Sequence, residues 1–135
     1  MNSKFSERCS IALNAMEDYA NSLGIVGVGV YLEADANQPK DLHSSLRIVG
    51  ATKCIAEDQT GYSFIPIAYS KIAESLETGL ASGHITRPLI TGEFGWKGSV
   101  LATCDNITII TAFSGSTEDI DLEIASVGLN SITAI

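Results

Sequence analysis

Apolar residues recur every three or four positions from Phe5 through Cys9, Ala12, Met16 and Tyr19 to Leu23, which is the spacing of one helix face. Glu7, Asn14, Glu17 and Asp18 fall largely elsewhere, and Gly24 supplies a stop. The period then shortens to two. Val26, Val28, Val30 and Leu32 share one strand face, and Gly27 and Gly29 lie on the other, where missing side chains let a neighbour pack closely. Residues 33–42 are polar and include Pro39, so they predict a loop. A second strand is expected over 44–52 through Leu46 and Ile48, then a short helical turn over 54–59. Ser63 is placed to cap a helix carrying Ile67, Ala68, Ile72, Ala73 and Leu76, with Pro66 in its first turn and Gly79 at its end. Residues 83–95 carry little pattern, and Pro88-Leu89-Ile90 predicts a short edge strand there. Two β-rich runs, 98–103 and 107–113, flank Cys104-Asp105-Asn106-Ile107. That is a hairpin signal, because Asp and Asn tolerate the left-handed backbone of tight turns. Ser116-Thr117-Glu118-Asp119 reads as a capping box with Asp in the place Glu usually takes and Ser116 as the cap. Ile120, Ile124 and Val127 then mark one face of a last helix. The hairpins imply an α+β fold, an antiparallel sheet with helices packed against it.

Composition narrows the class. The chain of 135 residues, 45% apolar, has the size of one domain, 1–135, able to bury a core without disulfides or a metal. Neither an internal repeat nor a linker interrupts it. Eight basic against 16 acidic residues give a formal charge of −8. Unclustered cations argue against nucleic acid, and the sign argues against anionic membranes. No apolar run reaches the roughly 18 residues that a membrane-spanning helix needs. Charges interrupt the first residues, so no signal-peptide core is expected. Cys9, Cys54 and Cys104 are odd in number and widely spaced, unlike a secreted disulfide framework, and a cytoplasmic location is expected.

The chemistry-bearing residues are sparse. Gly24, Gly27 and Gly29 lie inside a β-branched run rather than between a strand and a helix, so they read as strand packing and not as a nucleotide loop. Ser114-Gly115-Ser116 joins a strand to a helix. Its amides suit a carboxylate or phosphate, and helix capping by Ser116 accounts for the same residues. Glu118, Asp119, Asp121 and Glu123 suit acid–base work or a hard cation, and equally complement a helix dipole. His43 and His84 lack partners at metal-ligand spacing; His43, near Asp41, suits a ligand to iron or another metal, and reads first as a solvated loop residue because a lone imidazole makes a weak site. The cysteines suit haem ligation or small buried positions. Trp96, between Gly92 and Gly98 beside Phe94, is a ligand wall, a partner hot spot or core. No paired nucleophile and base is visible, so nothing in the residues makes the chain an enzyme.

The run Phe113-Ser114-Gly115-Ser116-Thr117-Glu118-Asp119-Ile120-Asp121-Leu122-Glu123-Ile124-Ala125 resembles the V-S-G-G-T-x-x-Q-D-x-x-I-A junction of the GlcG/HbpS-like (haem-degrading-domain) family. Ser114, Gly115, Thr117, Asp121, Ile124 and Ala125 match in register. Looser matches are Arg47-Ile48-Val49-Gly50-Ala51, where Val49 replaces an acidic residue, and Ile67-Ala68-Tyr69-Ser70-Lys71. The family's G-G-x-P loop is replaced by residues 92–98. The resemblance implies a profilin-like fold with a central antiparallel sheet flanked by helices, usually in homo-oligomers. It implies a small-ligand-binding accessory protein, and haem is the cofactor that some relatives bind. On it, Arg47, Lys71, Ser114, Gly115 and Asp121 are the candidate ligand-binding residues, with Arg47 and Lys71 as a basic pair facing a carboxylate or a haem propionate. Roadblock-like modules share much of this element order, and on that likeness the chain is a protein-interaction or assembly module.

Overall fold

A computed structural model describes residues 3–37, 41–50, 63–84 and 87–133. Helix α1 (Ser3–Ser22) buries Phe5, Cys9, Ala12 and Met16 on the face the spacing predicts, but at its end Ala20 is buried, Tyr19 is half-buried and Leu23 lies past the helix, exposed. Its end closes where Gly24 turns left-handed at φ 68° and the Ile25 amide donates to the Ala20 carbonyl at 2.9 Å, bonds that satisfy last-turn carbonyls. Strands β1 (Gly27–Asp35) and β2 (Leu42–Val49) follow, then α2 (Phe64–Thr78), β3 (Ser99–Cys104), β4 (Ile107–Ser114) and α3 (Glu118–Thr133). The sheet order is β2-β1-β4-β3, with every neighbouring pair antiparallel. Helices α1 and α3 cover one face and α2 the other. This is the expected α+β fold, a central antiparallel sheet flanked by helices.

Strand β1 lies in the middle and is buried from Gly27 to Ala34. Val28, Val30 and Leu32 pack with Ala68, Ile72, Ile110 and Ala112 on the α2 side. On the other side Tyr31 joins Phe5, Met16, Phe113 and Ile124. The two strand glycines admit close neighbours there. A Cβ on Gly27 would stand 2.4 Å from the Ser114 carbonyl oxygen and 2.8 Å from the Phe113 ring, and Gly29 faces Met16. The β3–β4 turn has Asp105 at φ 50° and Asn106 at φ 65°, the two left-handed positions of a type I′ hairpin.

Several expectations need correction. Glu33, Ala34 and Asp35 belong to β1 rather than a loop. A charged residue lies inside the strand because Arg8 and Tyr31 satisfy it. Val26 precedes the strand and is exposed. Residues 88–90 form no strand. Glu93 accepts from Arg87 twice at 2.8 Å and from the Ile90 amide at 3.1 Å, and its own amide donates to Ile90. That turn engages backbone groups a ladder would need. Ser63 occupies the cap position of α2 without a side-chain cap bond. Thr117, not Ser116, caps α3, its Oγ1 accepting from the Ile120 amide at 3.4 Å. The helical turn expected over 54–59, with Cys54, lies outside the described residues, as do Pro39, Ala51 and Thr52.

Candidate functional site

The site forms where β4 ends and the chain turns into α3. Gly115 passes so close to the start of β1 that a Cβ would stand 2.4 Å from the Val26 carbonyl oxygen. From the opposite face of the sheet, α2 sends Lys71 to this same end. Lys71 Nζ donates to the Phe113 carbonyl at 2.9 Å and to Asp121 Oδ2 at 3.0 Å. Asp121 Oδ1 accepts from the Ser116 amide at 2.8 Å, and the Gly115 amide also faces this carboxylate. The ion pair therefore links the two helical layers around the ends of the strands. Its side chains keep only 3% and 4% of their exposure.

Burial at this depth disfavours charge on both partners. It pulls the Lys71 ammonium below the ordinary lysine range, against the attraction of Asp121. It pushes the Asp121 carboxyl up, against Lys71 and the amides of 115 and 116. A proton is consequently easier to pass between them than between exposed partners. Removing one member of such a pair costs about 3–5 kcal/mol, because the other charge stays buried alone.

A pocket of about 390 Å³ opens onto this pair. Phe64, Ile67 and Trp96 form its apolar wall, and Ser114, Ser116, Thr117 and Glu118 its polar side. The Trp96 ring stacks on Phe94 with centroids 4.9 Å apart and planes 19° from parallel. Trp96 is half-buried and Phe94 is 50% exposed, so the indole is a pocket wall rather than deep core. Glu118 accepts from the Lys97 amide at 2.9 Å. Glu118 and Asp119 sit in the first turn of α3, as dipole complementation requires. Glu123 lies elsewhere, taking the hydroxyl of Tyr19.

Lys71, Ser114, Gly115 and Asp121 are thus brought together, and Arg47 is not. Arg47 pairs with Gly29 in the ladder and points to α1, donating to Asn14 at 2.9 Å and Glu17 at 2.7 Å. The expected basic pair of Arg47 and Lys71 does not form, because strand alternation sends Arg47 to the α1 face while Lys71 comes from α2. Phe64 and Gly98 escaped the sequence reading. A Cβ on Gly98 would stand 2.6 Å from Lys71 Nζ, and no linear spacing signals that approach. His43 is an exposed residue of β2 rather than of a loop, its ring 5.7 Å from that of Phe5. His84 is exposed too, Cys9 is buried and Cys104 exposed. Burial pushes the Cys9 thiol up, away from the thiolate a metal would need. Among the described residues no group of three or more His, Cys, Asp and Glu is placed to hold a metal ion, and no helix is long and apolar enough to cross a membrane.

No protein-family model matches the chain, and none of the curated proteins matches it in sequence. Solved structures do share its fold. Klebsiella pneumoniae protein ORFY, of the DUF336 family, superposes with a TM-score of 0.67 at 14% identity, covering 96% of this chain and 90% of that one. PduOC in complex with haem gives 0.65 at 13% identity over 96% and 92%. A double mutant of Streptomyces reticuli HbpS gives 0.54 at 19% identity over 96% and 84%. The expected GlcG/HbpS-like fold is therefore present, at identities that speak for the fold alone. The haem of PduOC sets a test for the pocket at Lys71. Haem iron is held by His, Cys, Met or Tyr, and none of the described residues that line the pocket is one of these. These described residues do not fit haem.

Proposed function

We propose that this protein is a divergent GlcG/HbpS-like relative, one domain over 1–135, that acts as a small-ligand-binding accessory protein. Its ligand site is the pocket between α2, Trp96 and the start of α3, with Lys71, Ser114, Gly115 and Asp121 as the core of the site. The observation that carries this is a buried ion pair at the floor of a pocket with an aromatic wall. Apolar walls with a few convergent polar groups are the usual form of small-molecule sites. The volume suits a metabolite-sized ligand, and the lack of an iron ligand among the described residues of the lining points away from haem there. The assembly-module reading has the exposed Leu89, Ile90 and Phe94 in its favour. It ranks second because exposed apolar side chains are common on any surface, whereas a buried charge pair facing a cavity is not.

The chain has a single tryptophan, so intrinsic fluorescence reports on this pocket. A metabolite library, with haem included, is screened by Trp96 emission and followed by amide chemical shifts. Small hits are expected to move the amides of 115–118 and to weaken about tenfold or more in Trp96→Ala. Haem is expected to give no stoichiometric Soret shift that depends on Lys71. Hits that map to β2 and leave 115–118 unmoved would place the ligand elsewhere and defeat this reading.

A further inference from the structure

An amine becomes a nucleophile when it meets a cavity, can lose its proton, and has a proton carrier within hydrogen-bond reach. Lys71 meets all three conditions. Its side chain lines the pocket. The carboxylate of Asp121 stands 3.0 Å from Nζ, and the Phe113 carbonyl at 2.9 Å fixes the amine from another side. These two partners take two of the three ammonium hydrogens. Close approach around Nζ depends on residue 98 having no Cβ. Burial also weakens the hold of Nζ on its proton. A purely structural cross-link between layers needs neither a cavity nor an aromatic wall facing it.

We propose that Lys71 captures small neutral aldehydes as an imine, with Asp121 shuttling the protons. The proposal rests on the pocket reading above. The Lys71 ammonium passes a proton to Asp121, and the freed lone pair attacks the carbonyl carbon. The carbonyl oxygen takes that proton back from Asp121, giving a carbinolamine. Asp121 then removes a proton from the nitrogen and delivers it to the hydroxyl, which leaves as water while the C=N bond forms. The ammonium and the aldehyde thus become a protonated imine and one water, with no oxidant or reductant. The substrate is assigned as neutral because, among the described residues, the other ionisable groups of the lining, Asp121 and Glu118, are acidic and repel an oxo acid's carboxylate. Its apolar chain lies against Trp96 and Ile67, and the Ser116 and Thr117 hydroxyls suit a hydroxyl on it.

The test uses the wild-type protein, butanal and borohydride at neutral pH, with alkylation mapped by peptide mass. Exposed Lys97 is the internal comparison, so no variant has to fold. Butylation of Lys71 is expected to exceed that of Lys97 several-fold, since Asp121 stands within hydrogen-bond reach to take the Lys71 proton and burial weakens the hold on it. Labelling no greater than that of Lys97 overturns the proposal. Pyruvate should label Lys71 far less than butanal, and equal labelling overturns the neutral-aldehyde assignment. Asp121→Asn should lower the labelling several-fold, and unchanged labelling removes Asp121 from the mechanism. Butan-1-ol, which cannot form an imine, separates the two readings through Trp96 fluorescence. If it shifts the emission while Lys71 stays unlabelled, the pocket stands and the imine falls. If neither responds, both fall.

Discussion

Glu33 and Glu93 show how neighbours decide the state of a carboxylate. Glu33 is buried in β1, which alone would raise its pKa. The Arg8 fork at 2.6 and 2.8 Å and the Tyr31 hydroxyl at 2.5 Å outweigh that, and the carboxyl ends below its ordinary range. Burial and this same carboxylate push the Tyr31 phenol up. Glu93 is held down to about 2 by the Arg87 guanidinium first and the Ile90 amide second. A carboxyl whose folded pKa is depressed contributes stability above its unfolded value and loses it as pH falls through the folded one. The 87–93 turn should therefore stay formed throughout the ordinary glutamate range and loosen only near pH 2. Carboxyl NMR titration checks this, and Arg87→Ala should return the Glu93 midpoint toward the ordinary range. None of these pairings is visible along the sequence. Arg8 and Glu33 lie on different elements, so a linear window shows Glu33 only as the polar end of an apolar run.

Elements were legible where one local rule decides the outcome. The spacing of α1, the left-handed stop at Gly79 and the Asp105-Asn106 turn needed nothing from elsewhere in the chain. Where two neighbouring residues offer the same chemistry, as Ser116 and Thr117 do at the cap of α3, sequence cannot choose. At 88–90, side-chain bonds from Glu93 override β propensity. The crossing of α1 over α3 also depends on tertiary approach. A Cβ on Gly128 would stand 2.6 Å from Met16 Cγ and 2.9 Å from its sulfur. Gly128→Val should destabilise the fold by about 1–3 kcal/mol through overpacking, read as a lower urea midpoint at unchanged slope. Met16→Ala added to it should cost less than the sum of the two single changes, because the residues touch.

At the scale of the molecule, the candidate site was half legible. Lys71, Ser114, Gly115 and Asp121 came from a matching motif, not from spacing, since residues 71 and 121 sit in different layers. Arg47 failed because a motif match says nothing about which face of a sheet a side chain leaves from. The strand order β2-β1-β4-β3 has a further consequence in time. The central ladder, from Val28↔Ser114 to Asp35↔Ile107, joins the early part of the chain to its late part, and such distant pairing is slow to form. On the ribosome, β1 and β2 can pair but have no inner neighbour until β4 emerges. Nascent chains arrested before residue 107 should remain open to protease, and full-length chains held clear of the ribosome by an added C-terminal linker should resist it; early resistance would show that the hairpin folds alone. Until β4 arrives, the apolar surface of β1 is left to chaperones or to chance contacts, so the risk of misassembly is concentrated in the interval between making β2 and making β4.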